Sequence, residues 1–318
     1  MAAGHIVPVA AEGNIKQAYD DDMSAIEYKR TAEYDAFGPW VDEVATVDEI
    51  PRLYRDFPID FAASRVVLKF PRNIARRDAK PTMDLYDHLV VAGTERMTVL
   101  SRHGSLYDRL DVSYAQLAFI TESVNLLDGR LTLGTIAGDE FTVPYNGSSE
   151  DVISKFVDLL RTLAAPGEPS APVTDPVLEL YDLGKSDAIF VTSYRELKRR
   201  DPAMRLLAAH GRRVLTTRGG TLSRIAHLLW PMTLHGALIA TTATELQVLS
   251  RRDWLVRRSG PVVSHARTIV FRTRLDRVSQ REHDAYRGAD IVTLASGRSN
   301  LEIIVPTGSD VEKALLRL

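Results

Sequence analysis

Two stretches decide how this chain is read: LVVAGTERMTVLSR, from Leu89 to Arg102, and LIATTATELQVLSR, from Leu238 to Arg251, which align on one another without a gap. Each is a pair of short apolar runs around a polar turn, the pattern of an antiparallel hairpin. Two further anchors recur in the same order. RNIARRD from Arg72 to Asp78 is echoed by RELKRRD from Arg195 to Asp201, and FTVPYNGSSEDV from Phe141 is echoed by IIVPTGSDV from Ile303. A shared tetrapeptide such as VLSR arises by chance about once in a chain of this length, so the weight rests on the collinear order of the three. The chain is read as two copies of one strand-rich module.

Outward from the first hairpin, Arg109-Leu-Asp-Val-Ser-Tyr alternates as a strand does. Ala118 to Val124 and Gly129 to Gly134 make two more strands around the turn Leu127-Asp128-Gly129, whose Asp-Gly pair favours the positive φ of tight hairpins. Phe141 to Pro144 is a last strand, its proline confined to an end or an edge. From Ser149, a plausible N-cap, Val152, Ile153, Phe156, Val157, Leu159, Leu160 and Leu163 recur at helical spacing. In the second copy the helix starts at Asp310 with Ser309 or Asp310 as cap. That copy carries insertions from Arg212 to Thr233 and from Asp276 to Arg287, rich in Gly, Arg or polar residues and placed at strand ends.

The Pro-rich run from Ala164 to Pro176 can continue neither helix nor central strand and divides the 318 residues near their middle. The expected divisions are an N-terminal extension over 1–59, partly mobile, a first module over 60–164, the linker over 165–182 and a second module over 183–318. Within the extension, the first 30 residues, with the acidic run Asp20 to Asp22, are expected to be a mobile tail or an N-capped short helix from Met23 to Arg30. The aromatic segment Tyr34 to Trp40 either plugs the first module or docks a partner. The chain has no cysteine, which excludes disulfides, thiolate metal sites and cysteine nucleophiles and suits a reducing cytoplasm. Its N-terminus lacks the pattern of a secretory signal, and the apolar stretch from Ile225 to Ala240 is too short to span a bilayer. From Leu183 onward there are about 23 Lys and Arg against about 12 Asp and Glu, so a basic second half follows an acidic first.

Thr94 to Arg102, then Leu110 to Phe119, then Leu126 to Leu131 resemble the bacterial pleckstrin-homology-like domains, closely over 84–163 and more loosely over 234–318. The second copy departs where Thr268 to Arg274 is followed by a charged insertion instead of a tight turn. The resemblance implies an α+β chain of two tandem pleckstrin-homology-like antiparallel β-barrels, each closed by a C-terminal helix. It also implies a binding or scaffold protein, working in tandem or oligomeric copies, rather than an enzyme; such a fold carries lipid, peptide and protein partners alike.

The residues offered for binding are basic. Arg72, Arg76 and Arg77 in one copy and Arg195, Lys198, Arg199 and Arg200 in the other fall at helix-compatible spacing. Arg251, Arg252, Arg257 and Arg258 bracket Trp254. Arginine binds phosphate bidentately and tryptophan suits a headgroup boundary, so an anionic membrane face or a protein partner is expected, the inner membrane face among the locations. The bland reading is a solvated face that meets the acidic half. Nucleic acid through the arginine-rich half is the alternative. The histidines show no metal spacing, Ser101 and Ser250 lack a nucleophile elbow, and Gly219-Gly220 lacks the Lys of a phosphate loop. No catalytic group, metal or cofactor is expected. An enzyme whose site forms between the halves would instead reveal itself by a cleft holding a carboxylate of shifted pKa.

Overall fold

A computed structural model describes residues 30–164, 178–220, 230–257 and 263–318. The expected helix from Met23, the core of the Pro-rich linker, part of the Arg212 to Thr233 insertion and Arg258 lie outside them. After a short helix α1 (Ala32–Ala36), five strands form a meander in chain order: β1 (Asp42–Glu43), β2 (Val66–Pro71), β3 (Tyr86–Ala92), β4 (Arg96–His103) and β5 (Leu106–Ser113). A second meander follows: β6 (Leu117–Asn125), β7 (Asp128–Thr135) and β8 (Glu140–Asn146), then helix α2 (Glu150–Ala164).

The second half repeats this order behind two helices, α3 (Leu180–Leu183) and α4 (Ile189–Arg200). Strands β9 (Arg205–His210), β12 (Ala237–Thr241), β13 (Glu245–Ser250) and β15 (His265–Phe271) form a meander. A three-stranded meander of β16 (Arg277–Glu282), β18 (Ala289–Ser296) and β19 (Ser299–Pro306) comes next, then helix α5 (Asp310–Leu315). The quoted hairpins occupy equivalent places in identical register: Leu89 faces Leu100 as Leu238 faces Leu249. The expected insertion from Asp276 to Arg287 is largely β16 itself; the two insertions supply besides it β10 (Arg213–Thr217), β11 (Met232–Leu234) and β17 (Tyr286–Arg287). With β14 (Leu255–Val256) these make a small sheet of order 14-11-10-17.

The expectation of two closed barrels is corrected here. Among the described residues the chain is mostly β, with four open antiparallel sheets and no closed barrel, and no pleckstrin-homology-like fold is identified. The physical reason lies in one pairing. Strand β6 of the first half gives its free edge to β15 of the second, with Glu122 opposite Arg267 and Ile120 opposite Ile269. The result is a single seven-stranded sheet of order 8-7-6-15-13-12-9 that runs through both halves. Its interior strand β13 is buried at every position, which requires neighbours on both edges and layers on both faces.

Alternation along the strands assigns those layers. Ile120, Val124 and Ile269 face a core shared with α2 and with Val90, Met97 and Val99 of the first sheet. Ile239, Val248 and Val270 face the opposite way, onto Val292, Val305 and the α5 residues Val311 and Leu315. Leu238, Ala240 and Leu249 lie under α4. The outer face of the first sheet is covered by residues 37–54, where Phe37 packs edge-on against Tyr86 and Trp40 stays half exposed.

Three local expectations also change. The turn between β6 and β7 is Leu126-Leu127, with Leu126 at φ 57°, while Gly129 lies in the strand because the Tyr145 ring leaves no room for a Cβ. Ser149 does not cap α2: Asn146 caps the turn before it, and the Ser149 hydroxyl accepts from the buried Val41 N–H. Ser309 is the cap of α5, accepting from Glu312 N–H. Finally, the Arg72 and Arg195 strings are not equivalent, since one follows β2 in a loop and the other forms α4, ahead of β9.

Candidate functional site

Helices α2 and α4 lie on the same face of the seven-stranded sheet, one from each half, and leave a cavity of 260 Å3 between them over β6, β15 and β13. Its apolar wall is Phe190, Leu197 and Leu249, with Ile189 half exposed at the rim. Its polar floor is the seam itself. Arg267, almost wholly buried, donates from Nε to Gln247 Oε1 at 2.9 Å, from Nη1 to Glu122 Oε1 at 3.4 Å and from Nη2 to Asp158 Oδ1 at 2.9 Å. The network continues from Gln247 to Glu245 at 2.6 Å, from Glu245 to Arg161 at 2.6 Å and from Arg161 to Asp201. These groups come from both halves, so one set of charges ties α2 to the strands and helix of the second half.

Glu122 is the exception in an otherwise matched network. Only 9% of it is exposed, and its Oε2 is buried without a hydrogen-bond partner. Burial pushes its carboxyl above the ordinary value, and Arg267 offsets this only in part. Around the mouth stand Glu150, whose Oε1 lies 2.7 Å from His265 Nε2, with Asp151 and Glu196. The basic groups of the cavity, Arg200 and Arg267, are both already held by carboxylates. Carboxylates are therefore in excess.

A second buried charge cluster lies at the start of α4. Asp187, with no exposed surface, takes Arg212 Nε at 2.9 Å, Arg251 Nε at 3.1 Å and the Gly236 N–H at 3.0 Å. Burial works against its charge, yet these donors outweigh it and hold the carboxyl below the ordinary range. Arg251, 4% exposed, also donates to the Ser264 and Ser186 carbonyls and stacks on Phe190.

Those of the basic residues singled out from sequence that are described stand in separate settings. Arg251 is buried as just described, and Arg252 binds Asp128 at 2.7 Å. Trp254 packs between two apolar clusters, and Arg257 is exposed. Arg72 pairs with Asp87, Arg76 lies over the Tyr34 ring at 4.1 Å and Arg77 is exposed beside Asp78. Arg199 and Arg200 both bind Glu196, and Lys198 donates to the Met204 carbonyl. The polar residues that do converge at the cavity, Glu122, Arg267 and Gln247, were not among the candidates, nor was Asp187 of the second cluster. The signal for Glu122 and Arg267 was a charge inside an apolar run, in AFITESV and in HARTIVF.

Ser101 accepts or donates at 2.9 Å to His88 Nδ1, and burial pushes His88 down. Asp87 cannot orient that imidazole, because successive strand residues point to opposite faces and its carboxylate is held by Arg102 at 2.8 Å. Ser250 donates to the Arg251 carbonyl. Among the described residues no group of three or more His, Asp and Glu could hold a metal ion, and no helix is long and apolar enough to cross a membrane. Comparison with protein-family models, curated proteins and solved structures finds nothing that matches this chain.

Proposed function

We propose that this chain is a non-catalytic binding protein whose ligand sits in the cavity between α2 and α4, and that the ligand is an organic cation. An amine or guanidinium on an apolar body, or a basic side chain of a partner peptide, has this chemistry. The observation that carries the reading is the buried Glu122 Oε2 with no partner, at the floor of a cavity whose rim is acidic. A buried acceptor left unmatched is costly, and a donor brought by a ligand removes that cost. The apolar wall of Phe190, Leu197 and Leu249 suits the body of such a ligand. The group bonded to Glu122 is Arg267, which stays charged, and His265 is engaged by Glu150. This favours binding over proton transfer.

Titration calorimetry with 4-phenylbutylamine, and with 4-phenylbutyrate as the anionic control, tests the reading. The amine is expected to bind and the carboxylate not to. Glu122→Gln, which keeps the shape, weakens the amine by about ten- to a hundredfold, the worth of a hydrogen bond to a charged group. Equal binding of amine and carboxylate, or an unchanged affinity in Glu122→Gln, contradicts it.

A further inference from the structure

The seam that joins the two halves has a counterpart left open. Leu89, Leu100 and Arg109 lie abreast on β3, β4 and β5, as Leu238, Leu249 and Arg267 lie abreast on β12, β13 and β15. Likewise Glu122, Leu131 and Val143 cross β6, β7 and β8 as Glu282, Asp290 and Val305 cross β16, β18 and β19. Val143-Pro144 and Val305-Pro306 fix that second alignment. The ion pair at the seam, Arg267 with Glu122, therefore has equivalents in Arg109 and Glu282, one on each of two strands that pair on a single side among the described residues.

We propose that β5 of one copy of this chain pairs antiparallel with β16 of a second copy, with Arg109 opposite Glu282, so that the protein assembles head to tail. This goes beyond the ligand-binding reading and does not rest on it. Charged edge strands ordinarily deter pairing, because like or unmatched charges meet. Here the signs match at the paired position: in the register of the seam Arg109 faces Glu282, and Asp108 of β5 lies opposite His283 and diagonal to Arg281 of β16. Opposite charges facing across an antiparallel pair stabilise it. Both edges are on hand, since β5 and β16 are exposed over most of their lengths and Leu110 is 41% exposed. The two surfaces differ, so the contact is heterologous and each copy added exposes a fresh edge, giving a closed ring or an open filament.

Light scattering after size exclusion on the full chain, over a concentration series, tests this. The mass of the wild type is expected to rise past that of a dimer. Arg109→Glu and Glu282→Arg are each expected to remain monomers, and the double exchange to regain assembly. Within the chain Arg109 pairs with Asp111 and lies over the Phe57 ring at 5.2 Å, and Glu282 pairs with Arg218, surface contacts that contribute little to the fold. Unfolding midpoints near that of the wild type would confirm that the variants are folded. A wild type that stays monomeric, a species that stops at two copies, or assembly indifferent to these exchanges overturns the proposal.

Discussion

Asp187→Ala loses on the order of 3–5 kcal/mol of stability, the cost of leaving a buried charge without its counter-ion. The reason is the position of Arg251, which is 4% exposed and cannot swing to water when Asp187 is gone. Arg212 and the Gly236 N–H lose their acceptor in the same step. Arg212, just after β9, and Gly236, just before β12, are held to the start of α4 through these bonds. Urea unfolding measures the effect as a lower midpoint with little change in slope. The pH dependence has a definite sign. The Asp187 carboxyl is held below its ordinary value in the folded protein, so its contribution is complete above about pH 4 and is lost as pH falls through the lowered folded value. Asp187→Ala should therefore lie far below wild type at neutral pH and approach it in acid. A variant as stable as wild type at pH 7 would show that Arg251 finds another partner.

Removal of Arg267 is the second large effect. In Arg267→Met the side chain keeps much of its volume, but Glu122 loses the cation paired with it and Asp158 and Gln247 lose a donor. A loss of about 3–5 kcal/mol is expected at neutral pH. Burial already raises the Glu122 carboxyl, and without Arg267 it rises further. An acid whose folded value is raised binds its proton more tightly when folded, so the deficit shrinks as pH falls and Glu122 becomes neutral. Adding Glu122→Leu removes the stranded charge, and the double variant should recover most of the loss, since an apolar replacement for a buried ion pair is often neutral or better. A double-mutant cycle in urea reads the coupling directly. Losses that simply add would mean that the two side chains do not interact across the seam.

The hairpins of this fold were legible and their partners were not. Leu89 to Arg102 and Leu238 to Arg251 carry period and turn in their own residues, and both form hairpins in the same register. Which edge β6 pairs with is decided by tertiary packing, for which no local pattern exists, so closed barrels were expected where a shared sheet formed. The Arg-Arg-Asp echo failed because composition does not fix conformation: Arg76 to Asp78 is a single tight turn in a loop, and Arg199 and Arg200 end a helix. The setting of the basic clusters was hidden for a related reason. Spacing along the chain says nothing of the carboxylates that fold back onto it, and Asp128, Asp187 and Glu196 come from distant or unremarkable positions. Glu122 and Arg267 were visible as charges in apolar strands. Each was explicable only by the other, which stands in the opposite half of the chain.

The join between the halves can be measured outright. Thr121 and Thr268 face each other across β6 and β15, with their hydroxyl oxygens 3.0 Å apart, and the chain has no cysteine of its own. In Thr121→Cys/Thr268→Cys, mild oxidation followed by peptide mapping should give one disulfide between residues 121 and 268 in a species of single-chain mass. Two thiols that remain open to alkylation in the folded protein, or a disulfide found only between chains, would contradict the shared sheet and with it the cavity built upon it.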